Sequence, residues 1–345
     1  MTTAPIGILA TGSYVPGQVV TNAELAQRFD VTTEWIERKT GILTRRYADE
    51  AEATSDLAHR AAVRALAQAD LRPDELTYII VATTTGDHPL PPTASLLQER
   101  LGAWQAGCFD LNVACSGFVY GLAVAAGLLA TAHGGRALVV GADIWSRFID
   151  PSDRATAVLL SDGAGAAVLG SVPAGQGILG TDLTGYGDLS SLLVVPAGGS
   201  SRPASQETVE NREHVLHMRG REVSEFALTK VPTAVKDVLA QAGVTPAEVD
   251  HFVPHQANGA LLDRLTGLLD LENARTHRTV ACYGNSGAAS IAVTLDEAHR
   301  ESALRPGDLV LLAGFGGGMA TGTCLLRWSA QLSARTTDSE RKDES

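Results

Sequence analysis

Residues 65–81 read ALAQADLRPDELTYIIV, and residues 238–254 read VLAQAGVTPAEVDHFVP. Setting Leu66 on Leu239 shifts one stretch onto the other by 173 residues (239 − 66). The same shift carries Leu138 of LVVGAD onto Leu311 of LLAGFG, so the likeness is not confined to one helix. A repeat of this length makes the chain two copies of one unit. Each copy has an Ala-rich helical stretch, a fresh start at a Pro-Asp or Pro-Ala turn, and a short apolar strand, at Tyr78–Ala82 in one and 252–254 in the other. A second helix and a second apolar strand follow in each, at 137–140 and 309–313.

Near-continuous apolar strands alternating with helices predict a largely parallel sheet buried on both faces. Each half can cover only one side of its own central helix, so the halves must dock to cover the rest. The expected fold is therefore α/β, a duplicated five-layer α-β-α-β-α sandwich. Its first half would span residues 1–172 and its second 173–328, with a frayed polar tail at 329–345 that has no apolar period. Residues 171–217 break the pattern with Gly185, Gly187, Gly198, Gly199 and the polar tract SSRPASQETVENREH, and a mobile flap is expected there.

The 345 residues carry 27 Lys and Arg against 39 Asp and Glu, a net charge of −12, and 45% are hydrophobic. That composition describes a globular chain with a sizeable core. It argues against nucleic-acid binding, which needs a cationic surplus to neutralise phosphates. The four cysteines, Cys108, Cys115, Cys282 and Cys324, have neither disulfide-scaffold density nor zinc-site spacing, so no metal is expected and the thiols read as reduced in a cytoplasm. The N-terminus MTTAPIGILATG lacks a basic region followed by a long apolar one, and the apolar run at 119–132 reads as too short to span a bilayer. A soluble protein without a membrane partner is expected.

Cys115 lies in DLNVACSGFVYGLAVAAGLL, where an extended segment meets a small-residue turn and becomes a helix almost without polar side chains. A thiol in the first helical turn faces unpaired N–H groups and the positive end of the helix dipole, which lower its pKa from about 8.5 into roughly the 3.5–7.5 range. This makes Cys115 the candidate nucleophile, while Cys108, Cys282 and Cys324 read as inert packed thiols. His255 of VPHQAN ends the matching strand of the second half, where sites of α/β proteins collect. Asn285 of YGNSGAASI precedes another small-residue run and a new helix.

Taken in this order and spacing, ACSGF, PHQAN, GNSGAAS and GFGGGM resemble the β-ketoacyl-acyl-carrier-protein synthase III family of thiolase-fold condensing enzymes. The likeness runs from GILATGSYVP and TTEWIERKTGI through DPSDRATAVLLSDGAGAAVLG to the glycines near residue 316. It implies that Cys115 takes an acyl group from an acyl-CoA, with the oxyanion held by the backbone N–H groups of Cys115 and Gly317. His255 and Asn285 would be neutral donors to the enolate that forms as a malonyl unit on an acyl carrier protein loses carbon dioxide. The resemblance further assigns Trp35 and Arg154 to the adenine of coenzyme A and Phe315 to the malonyl carboxylate. Leu90 would close the acyl pocket of a partner in a homodimer. No cofactor is implied.

Some positions depart from the family pattern. Lys39 stands where the family commonly has Arg, Ala260 where an Arg often docks the carrier protein, and Arg221 where an Asn often contacts coenzyme A. Arg264, Arg219 or Arg221 could substitute for the missing cation. Ala320 and Thr321, without the usual aromatic after the glycines, predict a roomier wall and point toward an unusual starter or a polyketide role. Two other readings stand beside this one: an acyltransferase of the same fold that passes the acyl group to oxygen or nitrogen, and a partner subunit without catalysis.

Overall fold

The computed structural model describes residues 4–132, 134–150 and 152–331, so most of the tail expected at 329–345 lies outside the described residues. Ten strands form two five-stranded sheets. The first contains β1 (Ile6–Tyr14), β2 (Tyr78–Ala82), β3 (Gly107–Leu111), β4 (Ala137–Ile144) and β5 (Asp162–Ser171), in the order β1-β5-β4-β2-β3. The second contains β6 (Gly177–Gly185), β7 (His251–Pro254), β8 (Arg275–Thr276), β9 (Leu309–Gly316) and β10 (Ala320–Arg327), in the order β6-β10-β9-β7-β8. Numbered within its own half, each sheet has the same order, and the chain passes from one to the other between Ser171 and Gly177.

The repeat read from sequence reappears as register. Tyr78 pairs with Ala137 in the first sheet and His251 with Val310 in the second, each partner displaced by the same 173 residues. The turns match too. Leu71 N–H donates to Leu66 carbonyl and Val244 N–H to Leu239 carbonyl, ahead of the short turns Pro73–Glu75 and Pro246–Glu248. In both turns a Glu carboxylate accepts the N–H three residues earlier and so caps the turn.

Helices α1 (Thr54–Gln68) and α3 (Gly220–Ala242) cover the outer faces. On α1 the buried positions Leu57, Ala58, Ala61, Ala62, Ala65 and Leu66 recur at helical spacing, which puts one apolar stripe against β1, β5 and β4. Between the sheets lie α2 (Gly117–Thr131) and α4 (Ala289–Arg300), each packed on both. The order is helix, sheet, helices, sheet, helix: the expected five layers. The helical run 114–131 has 18 residues and is long and apolar enough to cross a membrane, which corrects the expectation that it is too short. It is the middle layer here, with Phe118, Val119, Leu122 and Ala125 fully buried.

Two expectations need correction. The sheets are mixed, not largely parallel: β1 with β5, β5 with β4, β9 with β10 and β10 with β6 are antiparallel, and only the ladders of β2 and β7 are parallel. In the second half the three residues between β9 and β10 leave no room for a crossover, which forces an antiparallel return. The flap is also shorter than 171–217. Residues Gly177–Gly185 form an edge strand against β10, with one register shift opposite Leu325 and Leu326. Its glycines read as breakers, yet its half-exposed burial is that of an edge strand covered on one face. The remaining excursion is tied down: Leu193–Val194 pairs with His217–Met218, Arg202 pairs with Glu213, and Arg212 bonds Asp150 at 2.8 Å.

Candidate active site

Sequence motifs from both halves meet at the ends of the central helices. Residues Ala114–Ser116 make one tight turn before α2, and Ala114 holds a φ of 43°, a strained conformation for a residue with a side chain. The turn delivers Cys115, 7% exposed, to the start of the helix. The end of β9 passes directly over it. A Cβ on Gly316 would stand 2.8 Å from the Cys115 Cβ and 3.1 Å from its Sγ, so only glycine permits this approach. One residue on, Gly317 is buried against Ala114 and Leu193.

His255 follows β7, and its N–H donates to Ala313 carbonyl at 2.8 Å. The ring is 2% exposed and meets Phe315 edge-on with centroids 5.2 Å apart. Burial drives its pKa down to about 3, so the imidazole is neutral at physiological pH. The tautomer follows from its neighbour. Ser290 Oγ lies 2.7 Å from His255 Nδ1 and accepts the Gln256 N–H at 3.3 Å. The Ser290 hydroxyl proton has no acceptor besides Nδ1 among the described residues, so it points there, and the ring proton resides on Nε2 as a donor. Gln256 is held in turn, its Oε1 accepting from the N–H groups of Thr279 and Val280.

Asn285 is fixed by its backbone. Its N–H donates to Leu159 carbonyl and its own carbonyl accepts from Ser161 N–H, both at 2.9 Å. Its Oδ1 accepts the Gly287 N–H at 3.0 Å. That leaves the amide Nδ2 as the free donor, so the carboxamide is oriented as the imidazole is.

Cys115, His255, Asn285, Phe315 and Gly316 line one cavity of about 240 Å³, whose other walls include Leu160, Leu193, Leu216, Met218 and Val223. The three residues singled out from sequence therefore share one mainly apolar chamber. The expected acidic thiol is not found there. Burial pushes the Cys115 thiol up to about 12, the Asp143 carboxylate adds to the rise, and the residue's own backbone N–H opposes it. Desolvation outweighs the helix start. Of the other cysteines, Cys324 is fully buried with its thiol likewise pushed up to about 12, Cys108 lies 3.6 Å from Ser95 Oγ, and Cys282 is exposed rather than packed.

Of the expected substrate contacts Phe315 lines this chamber, while Trp35, Lys39, Leu90, Arg154 and Arg221 are not among its walls. Arg154 rests on Trp35 with its guanidinium 5.2 Å from the ring centroid. A base between them needs roughly 7 Å, two contacts of about 3.5 Å, so Arg154 must swing out first. Lys39, on the helix Thr33–Thr40 with Trp35, is exposed, as are Arg154, Arg219, Arg221 and Arg264. Asn258, the last residue of PHQAN, lines the cavity, caps the helix Gly259–Thr266 and reaches Lys39 carbonyl at 3.5 Å. Leu90 lies away from the cavity and is 82% exposed. Sequence reasoning missed Ser290, Gln256 and Asn258. All three lie inside the quoted motifs, where a polar residue in an apolar run is the only signal.

The model of the family described as 3-oxoacyl-[acyl-carrier-protein (ACP)] synthase III matches residues 109–187, and that of its C terminal matches 239–328. An acetoacetyl CoA synthase of Streptomyces sp. (strain CL190) is 48% identical over 330 residues, covering 95% of this chain and 100% of the relative. The chain belongs to the 3-oxoacyl-ACP synthase III family. A β-ketoacyl-ACP synthase III of Caldanaerobacter subterraneus subsp. tengcongensis is 45% identical across 94% of this chain and 98% of its own. The solved 3-oxoacyl-(acyl carrier protein) synthase III of Pseudomonas aeruginosa PAO1 superposes with a TM-score of 0.87 at 37% identity, covering 95% of this chain and 99% of that one. The five-layer sandwich is thus the thiolase-type fold, and the chain is a condensing transferase of the synthase III type.

Proposed function

We propose that this synthase III primes fatty-acid or polyketide synthesis through Cys115, His255 and Asn285. The observation that carries this reading is their convergence, from both halves of the chain, on one mainly apolar cavity. Cys115 sulfur attacks the carbonyl of an acyl-CoA; the C–S bond to coenzyme A breaks, and the thiol proton leaves with the coenzyme A sulfur. Because the resting thiol is protonated, that proton is transferred only when substrate brings the leaving sulfur to receive it. In the second half-reaction a malonyl thioester loses carbon dioxide. The electron pair left on its α-carbon is delocalised onto the thioester oxygen, where His255 Nε2–H and Asn285 Nδ2–H donate to it. The α-carbon then attacks the acyl carbonyl, the new carbon–carbon bond forms, and Cys115 departs as thiolate. No cofactor takes part in either step.

Neutral donors suit this chemistry. A charged imidazolium would be neutralised by the enolate it is meant to stabilise, and burial prevents it. The backbone N–H groups of Cys115 and Gly317 complete the scheme as the oxyanion site of the acyl transfer. We place the enzyme in the cytoplasm, where a catalytic thiol stays reduced, and as a homodimer, for which the 82% exposed Leu90 is the natural contact.

A second acceptor is favoured by two observations. Ala260 removes a cation from the start of the helix Gly259–Thr266, and the relative at 48% identity is named an acetoacetyl CoA synthase. Malonyl-CoA is therefore a candidate extender beside malonyl-ACP. The test is to incubate the enzyme with acyl-CoA esters, then supply each malonyl thioester. Mass spectrometry should show an acyl adduct on Cys115, followed by carbon dioxide and a β-ketoacyl thioester. An adduct with transfer to oxygen or nitrogen and no carbon dioxide would establish the acyltransferase instead, and no adduct would leave only a non-catalytic subunit.

A further inference from the structure

Asp143, at the end of β4, is a fully buried carboxylate that the proposed chemistry does not use. Five donors converge on it. Thr83 Oγ1–H, Thr84 N–H, Thr85 N–H and Thr85 Oγ1–H all reach its Oδ1, at 3.2, 2.9, 3.3 and 3.1 Å. Ala288 N–H, from the other half of the chain, reaches Oδ2 at 2.8 Å. Burial raises the Asp143 carboxyl above its ordinary value, and the hydrogen bonds from Ala288, Thr84, Thr85 and Thr83 oppose that rise by favouring the charged form, which accepts with both oxygens. No basic side chain is among these contacts. The charge is compensated instead by the N–H groups and by the start of α4, whose dipole favours an anion there.

What Asp143 grips matters more than its charge. Ala288 is the N-cap of α4, three residues after Asn285 and two before Ser290. A shift of that helix start would move the Asn285 carboxamide and the Ser290 hydroxyl that sets the His255 tautomer together. The approach is as close as the backbone allows. A Cβ on Gly287, whose φ is +59°, would lie 2.2 Å from both Asp143 Oδ2 and the indole nitrogen of Trp145. Behind Ala288, a Cβ on Gly141 would lie 2.2 Å from the Ala288 carbonyl oxygen. Strand β4 of the half that carries Cys115 is thus seated against the turn of the half that carries both donors.

We propose that Asp143 is a positioning residue for decarboxylative condensation: it registers the Asn285 and His255 donors of the second half against the acyl-Cys115 of the first. The proposal rests on the condensing role argued above, and it separates the two half-reactions. Acylation of Cys115 uses the backbone around the nucleophile and is indifferent to the 285–290 turn, whereas condensation needs both donors in place.

The test is Asp143→Asn, which is isosteric but must turn its NH₂ toward either the Thr83–Thr85 donors or Ala288 N–H. Acyl-enzyme should form to full stoichiometry, while condensation by the pre-acylated enzyme falls by about 10- to 100-fold, the range set by a displacement near 1 Å. Loss should appear in kcat for the malonyl thioester and little in its KM. A second readout distinguishes positioning beside the thiol from general weakening. With the carboxylate charge gone, iodoacetamide alkylation of Cys115 should move to lower pH. Thr83→Val removes one donor without touching the second half, and should reduce condensation several-fold at unchanged acylation even if Asp143→Asn does not accumulate. Condensation within twofold of wild type in both variants overturns the proposal, as does a proportional loss of both half-reactions with an unmoved alkylation profile. Wild-type protein that forms no acyl-enzyme would instead overturn the functional reading beneath it.

Discussion

Replacing Ser290 with alanine isolates the tautomer of His255. The hydroxyl stands 2.7 Å from Nδ1 and accepts Gln256 N–H, so its loss strands a ring nitrogen and a backbone donor in a buried setting. An unsatisfied buried group costs about 1–3 kcal/mol, and the protein should be destabilised on that scale. The catalytic effect is separate. A hydrogen bond of about 1 kcal/mol biases the two neutral tautomers by roughly fivefold. Losing that bias, with some freedom of the ring, should slow condensation by about 10-fold. Removing the imidazole altogether should cost about 10²–10³, as for other lost oxyanion donors. Acylation of Cys115 should be unaffected, and Ser290→Thr, which keeps the hydroxyl, should restore the rate. ¹⁵N spectra of histidine-labelled protein read the tautomer directly: wild type should show an unprotonated Nδ1 and a protonated Nε2 for His255, and the alanine variant a mixture. A Ser290→Ala enzyme with wild-type condensation and an unchanged His255 spectrum would refute the reasoning.

Three further outcomes can be checked. Asn285→Ala should abolish one enolate donor and reduce carbon dioxide release by about 10²-fold or more while leaving the acyl adduct on Cys115 intact by mass spectrometry. Gly316→Ala should block acylation itself, because the new methyl would sit 2.8 Å from the Cys115 Cβ; normal adduct formation would show that β9 yields easily. The pH dependence of stability has a definite sign. His255 titrates near 3 when folded against an ordinary value of 6.5, so the unfolded chain binds more protons between these values. Its contribution is full above about pH 6.5 and declines as the pH falls toward 3. His277, lowered to about 4 by burial, acts in the same direction. Thermal melts from pH 8 to 4 should fall toward acid, and His255→Gln should flatten part of that fall; an unchanged slope would contradict the buried neutral imidazole.

The duplication was legible because it is written in local chemistry. The Ala-rich stripe of α1 and the Pro turn before β2 recur 173 residues on, and the ladder registers follow the same interval. Cys115, His255 and Asn285 were legible because each polar group interrupts small or apolar residues at an element boundary, where a side chain has no packing reason to be polar. The edge strand Gly177–Gly185 was not, since its stability comes from its pairing with β10, which the sequence around it does not announce.

Local sequence thus determined the repeat, the layers and the choice of candidate groups, all of which depend on neighbours within a few residues. Tertiary structure alone decided their states. Whether Cys115 rests as thiol or thiolate depends on how completely the docked halves bury it, and burial reversed the expectation drawn from the helix start. The proton on His255 depends on Ser290, 35 residues away, and the seat of Asn285 on contacts with 159–161. Desolvation and hydrogen-bond direction are properties of the docked halves, and neither half contains them by itself.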